Sequence, residues 1–161
     1  MRERVPFIRT NLILTIFTII MLVALLFYVS DLLQRVILGV VLVGILSFGF
    51  YFMPLSIAAD EEAIYIHRFF RTKIIRMSNV QSVQLCPSSN YYKKVCGSGG
   101  FFGNWGWFVH KDYGKFFAYY GSPDECFLVE LRNGRKYMLG CNNSPKMVEY
   151  INTIIKKPRR Y

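Results

Sequence analysis

Two uninterrupted apolar segments near the start of the chain constrain its fold more than any other feature. They run from Leu12 to Val29 and from Val36 to Met53, and neither contains Lys, Arg, Asp or Glu. A helix of this length extends about 27 Å, close to the hydrocarbon thickness of a bilayer. Because Leu, Ile, Phe and Val favour insertion into lipid, each segment gains several kcal/mol by entering a membrane. We therefore predict a transmembrane helical hairpin within residues 1–54, with spans at about 12–29 and 36–53.

A soluble core hairpin and a cleaved signal peptide both fit the apolar segments less well. A buried core hairpin of a soluble protein would need an enclosing protein mass that 161 residues hardly supply. A cleaved signal peptide would need a shorter apolar region and a small-x-small site, whereas a second apolar segment follows the first at once. The sequence thus favours an integral membrane protein with two spans.

The distribution of Lys and Arg predicts the orientation of the hairpin. Three Arg precede the first segment, one lies in the connector, and four basic residues follow the second segment closely, namely Arg68, Arg71, Lys73 and Arg76. Positive residues favour the cytoplasmic side. We therefore expect an inner (cytoplasmic) membrane protein with both termini in the cytoplasm.

The remaining residues, 55–161, are enough for one cytoplasmic domain. They hold 16 of the 20 basic residues and 8 of the 10 acidic ones, a net charge of +8. Such a domain is attracted to anionic lipid headgroups, at about 1 kcal/mol per basic residue near the surface. Nucleic acid is the other partner that positive charge suggests, but the basic residues are scattered and no nucleic-acid motif accompanies them. We predict anionic lipid as a partner and no nucleic acid.

Short alternating segments followed by one amphipathic pattern predict an α+β domain. Seven strands are expected, in residues 54–59, 63–70, 73–77, 81–86, 115–120, 126–131 and the segment that follows Asn133-Gly134. Asn133-Gly134 is typical of a type I′ two-residue hairpin, which would pair Phe127, Val129 and Leu131 with Tyr137 and Leu139. The fold predicted is an antiparallel β-sheet or β-barrel capped by one C-terminal helix.

The C-terminal helix has both a start signal and an apolar face. Ser144-Pro145 is typical of an N-cap followed by a proline at the first helical position. Apolar residues then recur at helical spacing, at Met147, Val148, Ile151, Ile154 and Ile155. This face is expected to pack against the sheet.

Four segments together resemble the bacterial pleckstrin-homology (PH) domain proteins, many of which carry a short transmembrane hairpin ahead of the domain. They are Met77–Val83, the Gly- and aromatic-rich segment Gly97–Phe108, Arg132–Tyr137, and Ser144-Pro145. The resemblance covers about residues 54–157. It implies a PH-like fold that serves as a binding or scaffolding platform, without shared catalytic chemistry.

The first hairpin of the domain departs from the PH domains that bind phosphoinositides. Those domains carry a Lys/Arg cluster there, whereas this chain has Asp60-Glu61-Glu62, which would repel a phosphate. The basic residues fall at the next hairpin instead: His67, Arg68, Arg71, Lys73 and Arg76. We expect them to contact anionic lipid without forming a specific inositol-phosphate pocket. A C-terminal basic cluster either contacts lipid or is a solvated tail, and it comprises Lys156, Lys157, Arg159 and Arg160.

The Gly- and aromatic-rich segment has two interpretations. The glycines permit tight bends while the aromatic side chains pack back on the sheet, or the segment binds the headgroup layer or a partner through Trp105 and Trp107. We favour the structural interpretation.

No catalytic or metal site is predicted, and no cofactor. The four cysteines (Cys86, Cys96, Cys126 and Cys141) lack zinc spacing and are expected to be reduced structural thiols. His110 and Asp112 are the only base and carboxylate close in sequence, and His110 is expected on the surface. We therefore predict a membrane-anchored PH-like module that binds an unknown protein partner or the anionic inner membrane surface. The alternative is a small membrane enzyme or an accessory subunit of one.

Overall fold

The computed structural model describes residues 1–7, 9–86 and 92–156, and it begins with two long apolar helices. Helix α1 is Arg9–Tyr28 and helix α2 is Leu32–Phe52, both long and apolar enough to cross a membrane. The two predicted spans are therefore helical, with ends shifted by four residues or fewer. In the connector, the Asp31 carboxylate accepts the Leu33 N–H at 2.9 Å, and the Arg35 guanidinium donates to the Val29 carbonyl at 2.7 Å. These bonds close the turn between the helices.

A four-stranded antiparallel sheet follows α2 and also includes the N-terminal segment of the chain. Its order is β1-β2-β3-β4. The strands are β1 (Arg2–Arg4), β2 (Pro54–Ala59), β3 (Ala63–Arg68) and β4 (Lys73–Arg76). Sequence reasoning missed β1, because three residues with two Arg carry no apolar alternation.

The second sheet has six strands, and one of its pairings is parallel. Its order is β5-β9-β10-β8-β7-β6, with β10 parallel to β8. The strands are β5 (Val80–Cys86), β6 (Lys93–Gly100), β7 (Gly103–His110), β8 (Gly114–Tyr120), β9 (Cys126–Leu131) and β10 (Lys136–Gly140).

Of the predicted sheet or barrel, the structure has the sheet, because both sheets are open. One part of the strand prediction is wrong, because the pairing is not antiparallel throughout. After β8 the chain forms a short 3-10 helix, Pro123–Glu125, and leaves one strand position empty before β9 begins. Strand β10 then fills that position and pairs with both β9 and β8. The Gly-rich segment, for which no strand was predicted, forms the second half of β6 and most of β7. Together with β1, these two strands explain why ten strands are described rather than seven.

The turn between β9 and β10 also differs from the prediction. The Leu131 carbonyl accepts the Gly134 N–H at 2.9 Å, and the Leu131 N–H donates to the Arg135 carbonyl at 2.8 Å. Gly134 has a φ of +78°, whereas Asn133 is not in the left-handed region, as a type I′ turn would require. The loop is therefore a three-residue turn with a glycine bulge. The predicted strand register is confirmed, since Val129 faces Tyr137 and Phe127 faces Leu139.

Helix α3 (Ser144–Lys156) packs on the sheets as predicted, but Ser144 is its first residue rather than its N-cap. The Asn143 carbonyl accepts the Met147 N–H at 3.0 Å. The Ser144 hydroxyl donates to the Glu125 carbonyl at 2.7 Å, so it ties the helix to the chain before β9. Ile151 is fully buried, and Ile155 is half-buried against the same core.

Two cores lie on opposite faces of the six-stranded sheet. The main core fills the space between the two sheets and α3, with Phe127, Val129 and Leu139 at its centre. Alternate residues of the same strands, such as Leu128 and Met138, form a second cluster on the other face.

The contacts with α1 and α2 lie at one end of the sheets, which we call the proximal end. Pro54 begins β2 directly after α2, and Arg68 pairs with it at the end of β3. The turn between β6 and β7 reaches the same end. The opposite, distal end carries the acidic turn 60–62 and the turn 132–134.

Candidate functional site

The turn between β6 and β7 is docked against α1 by hydrogen bonds. The backbone N–H of Phe102 donates to the Thr15 hydroxyl at 3.2 Å, and that hydroxyl donates to the Asn11 carbonyl at 2.8 Å. The Asn11 side-chain amide donates to the Gly121 carbonyl, just after β8, at 3.1 Å. Thr15 is buried, which is unusual for a polar side chain on an otherwise exposed helix. Two of these bonds, to Phe102 and to Gly121, hold the domain and α1 together, and the third, within α1, orients the Thr15 hydroxyl.

The same turn packs against α2 at Gly49. A Cβ on Gly49 would lie 2.9 Å from Phe102 Cε2 and 3.2 Å from Phe101 Cε1, so only glycine leaves room for these rings. The Phe102 ring lies 4.5 Å from the Phe50 ring, centroid to centroid. The contact is therefore close-packed and aromatic.

Trp105, a candidate lipid- or partner-binding residue, is buried in this junction. Its ring stacks on Phe52 at 5.0 Å, with 15° between the planes, and meets the edge of Phe48 at 5.4 Å. Its indole N–H donates to the Phe101 carbonyl at 3.2 Å, and only 6% of the residue is exposed. Trp105 thus joins α2 to the domain and has little surface left for a ligand.

A pair of glycines allows the two strands of this hairpin to approach. Gly97 and Gly106 face each other across β6 and β7, with φ values of +130° and +120°. A Cβ on either residue would lie 2.7 or 2.6 Å from the Cα of the other and closer still to a backbone carbonyl oxygen. Their role is therefore structural, as favoured from the sequence, but Phe102 and Trp105 pack on α2 and not, as expected, back on the sheet.

Trp107, two residues farther from the proximal end, remains partly accessible. The residue is 37% exposed, its ring meets Phe117 edge-on at 5.1 Å, and the Lys115 ammonium lies 4.8 Å from the ring centroid. A ligand could reach this ring only beside the lysine.

Arg68 lies at the proximal end, at the junction with α2. Its guanidinium carbon is 5.1 Å from the Tyr51 ring centroid and 5.8 Å from both Phe52 and Tyr119. Its Nε donates to the Arg71 carbonyl at 3.1 Å, which shapes the turn between β3 and β4. Burial raises the pKa of Tyr119 to about 12, against an opposing effect of the Arg68 charge.

The tip of the β3–β4 hairpin presents aromatic residues that sequence reasoning missed. Phe69 and Phe70 are 58% and 66% exposed, with ring centroids 5.0 Å apart. The Phe69 ring lies 5.6 Å from Phe50 near the end of α2, and the neighbouring Arg71 is exposed. We call residues 69–71 the open tip. Its signal in the sequence was the Phe-Phe pair flanked by two Arg.

The structure brings together only part of the predicted basic set. Lys73 lies beside Arg68 and the open tip, and its ammonium is 5.1 Å from the Tyr137 ring. Arg76 is exposed at the other end of β4, opposite Ala63. Arg68, Arg71 and Lys73 therefore share the proximal end, and Arg76 does not.

The C-terminal basic residues do not join this set. Helix α3 starts beside Glu125 and reaches the middle of β5, where the Asn152 amide donates to the Val83 carbonyl at 3.3 Å. Lys156 ends the helix beyond that point, toward the distal end. Lys157, Arg159 and Arg160 lie outside the residues that the structure describes.

His110 and three of the four cysteines are buried. The expectation of a surface His110 is wrong, because it is 7% exposed and stacks on Tyr113 at 4.8 Å. Its Nδ1 accepts the Asp112 N–H at 3.2 Å. Burial raises the pKa of the Cys86 thiol to about 11 and raises those of Cys126 and Cys141, which disfavours the reactive thiolate; only Cys96 is exposed. Within the described residues, no three His, Cys, Asp or Glu are grouped to hold a metal ion.

Comparison with known proteins identifies the family of the domain. The family model described as "Bacterial PH domain" matches residues 55–154, which comprise β2 to β10 and most of α3 but not β1. No curated protein and no solved structure matches the chain. PH domains are in general non-catalytic binding modules. Because the match covers more than half of its residues, this chain belongs to the bacterial PH domain family.

Proposed function

We propose that this protein is a membrane-anchored binding module whose PH domain is held directly against the inner leaflet of the cytoplasmic membrane. In this proposal α1 and α2 span the bilayer, and both termini are cytoplasmic. The domain contacts anionic lipid through its proximal end and leaves its distal end accessible to a protein partner. The observation that carries the proposal is the docking of the β6–β7 turn on the sides of α1 and α2.

The position of that docking supports contact with the bilayer. Thr15 lies six residues into α1, about 9 Å along the helix axis, and Gly49 lies three residues before the end of α2, about 4.5 Å. A turn attached at these points cannot extend away from the membrane surface. The open tip lies beside the same end of α2, because Phe69 contacts Phe50.

The distribution of charge supports the same orientation. Arg71 is exposed at the proximal end, where Arg68 and Lys73 also lie, and each basic residue near an anionic surface contributes about 1 kcal/mol. The acidic turn 60–62 is distal. The Asp60 carboxylate accepts the N–H groups of Ala63 and Glu62, and these bonds lower its pKa, so it remains ionised and is repelled by anionic lipid. Because Arg76, Arg132 and Arg135 lie toward the distal end, charge alone does not fix the orientation; the basic residues beside the docked turn support it together with the docking itself.

A photo-crosslinking side chain in place of Phe70 tests contact with lipid. In native membranes containing the full chain, illumination should attach phospholipid to this position, because the open tip reaches the interface. The same side chain in place of Asn133, in the distal turn, is the matched control and should capture no lipid. Lipid captured at Asn133 but not at Phe70 would contradict the proposed orientation.

Cysteine labelling tests the topology. Cys96 is the exposed cysteine, so a membrane-impermeant thiol reagent should label it only after intact cells are permeabilised. A Ser30→Cys variant in the connector, on a Cys96→Ser background, should be labelled without permeabilisation. Labelling of Cys96 in intact cells would overturn the assignment of the domain to the cytoplasm.

A further inference from the structure

The N-terminal strand β1 brings two arginines to the outer face of the four-stranded sheet. In the β1–β2 register, Arg4 faces Ser56 and Arg2 faces Ala58, so both side chains lie on the same face as the Ser56 hydroxyl. The sequence suggested only a topological role for these arginines, as positive charges before the first span. Their position in a sheet is a separate observation.

Strand β1 is held firmly enough to position its side chains. The Asn142 N–H donates to the Arg4 carbonyl at 3.0 Å, and the Val5 N–H donates to the Leu55 carbonyl at 3.1 Å. The N-terminal ammonium donates to the Ala59 carbonyl at 2.7 Å. The strand is thereby bonded to β2 along its length and to the chain before α3.

A cavity of 680 Å³ opens beside these arginines. It is lined by residues 2–5 of the N-terminal segment, by Phe7, and by Leu55 and Ser56. The volume lies within the range of small-molecule sites, about 300–1,000 Å³. Phe7 lies two residues before α1 begins, and Leu55 follows the end of α2 by three residues. The cavity thus lies where the chain enters and leaves the two helices.

The polar groups of the cavity suit a phosphate. The Arg2 Nε donates to the Ser56 hydroxyl at 3.2 Å, which orients the guanidinium and leaves its two terminal nitrogens available. Arg4 is exposed on the same face. Glu3 also lines the cavity, but in the strand alternation its side chain lies on the face opposite Arg2 and Arg4, where its charge acts on the Cys141 thiol. The two arginines leave the cavity a net positive charge. One guanidinium bonded to the Ser56 hydroxyl, and a second arginine directly opposite Ser56 in the register, offer donors that suit the oxygen atoms of a phosphate monoester or diester.

We propose that this cavity binds the phosphate of an anionic phospholipid of the inner leaflet, with the guanidinium groups of Arg2 and Arg4 as its ligands. Phe7 and Leu55 provide an apolar wall for the glycerol and the first acyl carbons. A lipid is favoured over a free phosphate because the apolar wall continues toward the exposed apolar surfaces of α1 and α2. The site rests on the proposed membrane anchoring and adds a discrete lipid position to it.

Native mass spectrometry of the full chain in detergent tests this site, with phosphatidylglycerol as the probe and phosphatidylcholine as the neutral comparison. One phosphatidylglycerol should bind in preference to phosphatidylcholine. The variant Arg2→Gln/Arg4→Gln should weaken that binding about tenfold or more, the change expected for lost charge-assisted hydrogen bonds. The control Arg132→Gln/Arg135→Gln removes the same charge from the exposed distal turn and should bind as the wild type does.

Equal weakening in both double variants would overturn the proposal, because it would mean that net charge alone matters. Competition by inorganic phosphate at the concentration of the lipid would also overturn it, in favour of a soluble phosphate ligand. The single variant Arg4→Gln guards against a folding defect, since it should weaken binding with an unchanged melting temperature. Lipid capture at Phe70 is independent of this cavity, so its persistence in Arg2→Gln/Arg4→Gln would separate a failed site from a failed membrane orientation.

Discussion

Two hairpins reach the proximal end of this domain, and they use their aromatic residues differently. In the β6–β7 hairpin, Trp105 and Phe102 are in contact with α2, and the turn is hydrogen-bonded to α1. In the β3–β4 hairpin, Phe69 and Phe70 remain more than half exposed beside the same helix. One hairpin joins the domain to the helices, while the other leaves its apolar surface available.

The difference follows from glycine and arginine. Gly97 and Gly106 let the backbones of β6 and β7 approach each other closely. Because Gly49 has no side chain, the turn can pack against α2 at that position. The β3–β4 hairpin has no glycine, and it is Arg68 that contacts Tyr51, Phe52 and Tyr119 at the junction. An aromatic hairpin tip therefore becomes a structural contact only where the backbone on both sides gives it room.

The largest effect is expected from Trp105→Ala. Removing a buried Trp from a close-packed site typically costs about 3–5 kcal/mol. The melting temperature of the full chain in detergent should fall accordingly. Trp107→Ala is the matched control, and because its ring is partly exposed it should cost much less. Equal losses at the two positions would contradict the assignment of Trp105 to the junction.

A smaller loss is expected from Gly106→Ala. The residue has a φ of +120° and faces the Gly97 backbone, so a methyl group would force the strands apart. Backbone strain of this kind costs about 1–3 kcal/mol. Gly99→Ala on the neighbouring strand is the control, since its nearest contact would be Lys94 Cδ at 3.9 Å. If chemical denaturation showed a similar loss in the free energy of unfolding for both variants, the close approach of β6 and β7 would not be what requires glycine at position 106.

Much of the fold could be predicted because its signals are local. The absence of charge over residues 12–29 and 36–53 was enough to identify both helices, and the apolar spacing around Ile151 was enough to identify α3. The parallel pairing of β10 with β8 could not be predicted in this way. It depends on where the chain returns after Pro123–Glu125, which no local pattern encodes.

The candidate sites were less predictable, because they combine distant parts of the chain. Arg2 and Ser56 are adjacent only because the chain passes through α1 and α2 and then pairs β1 with β2. Trp is a residue type common at membrane interfaces, so the sequence alone suggests exposure for Trp105. Its stacking on Phe52 shows instead that it lies in a buried junction. A basic or aromatic residue in a sequence can be assigned to a chemical class, but its neighbours decide what it contacts.

Substitutions in the open tip should affect the stability of the protein far less than substitutions in the β6–β7 hairpin. Phe69→Ser/Phe70→Ser removes side chains that are largely exposed, so the free energy of unfolding in detergent should change by less than about 1 kcal/mol. In bilayer nanodiscs, a spin label at Arg71→Cys should move toward water when this double substitution is added. A large loss of stability in detergent would mean that the open tip is packed, and the contrast between the hairpins would disappear.

The smallest effect concerns His67 on β3, whose ring is influenced by the charge of Arg2 on β1. Burial lowers the pKa of His67 below its usual 6.5, and the charge of Arg2 lowers it further. Between the pKa of His67 in the folded chain and its value of 6.5 in the unfolded chain, the unfolded chain binds more protons. The free energy of unfolding should therefore rise with pH through that window and reach its full value above 6.5.

In an NMR titration of the full chain, Arg2→Gln should raise the pKa of His67, although burial should keep it below 6.5. Arg4→Gln should shift it less, because Arg4 is not among the charges that act on this ring. Equal shifts in the two variants would indicate that β1 is not held in the register that positions Arg2, and the phosphate cavity would lose its geometric basis.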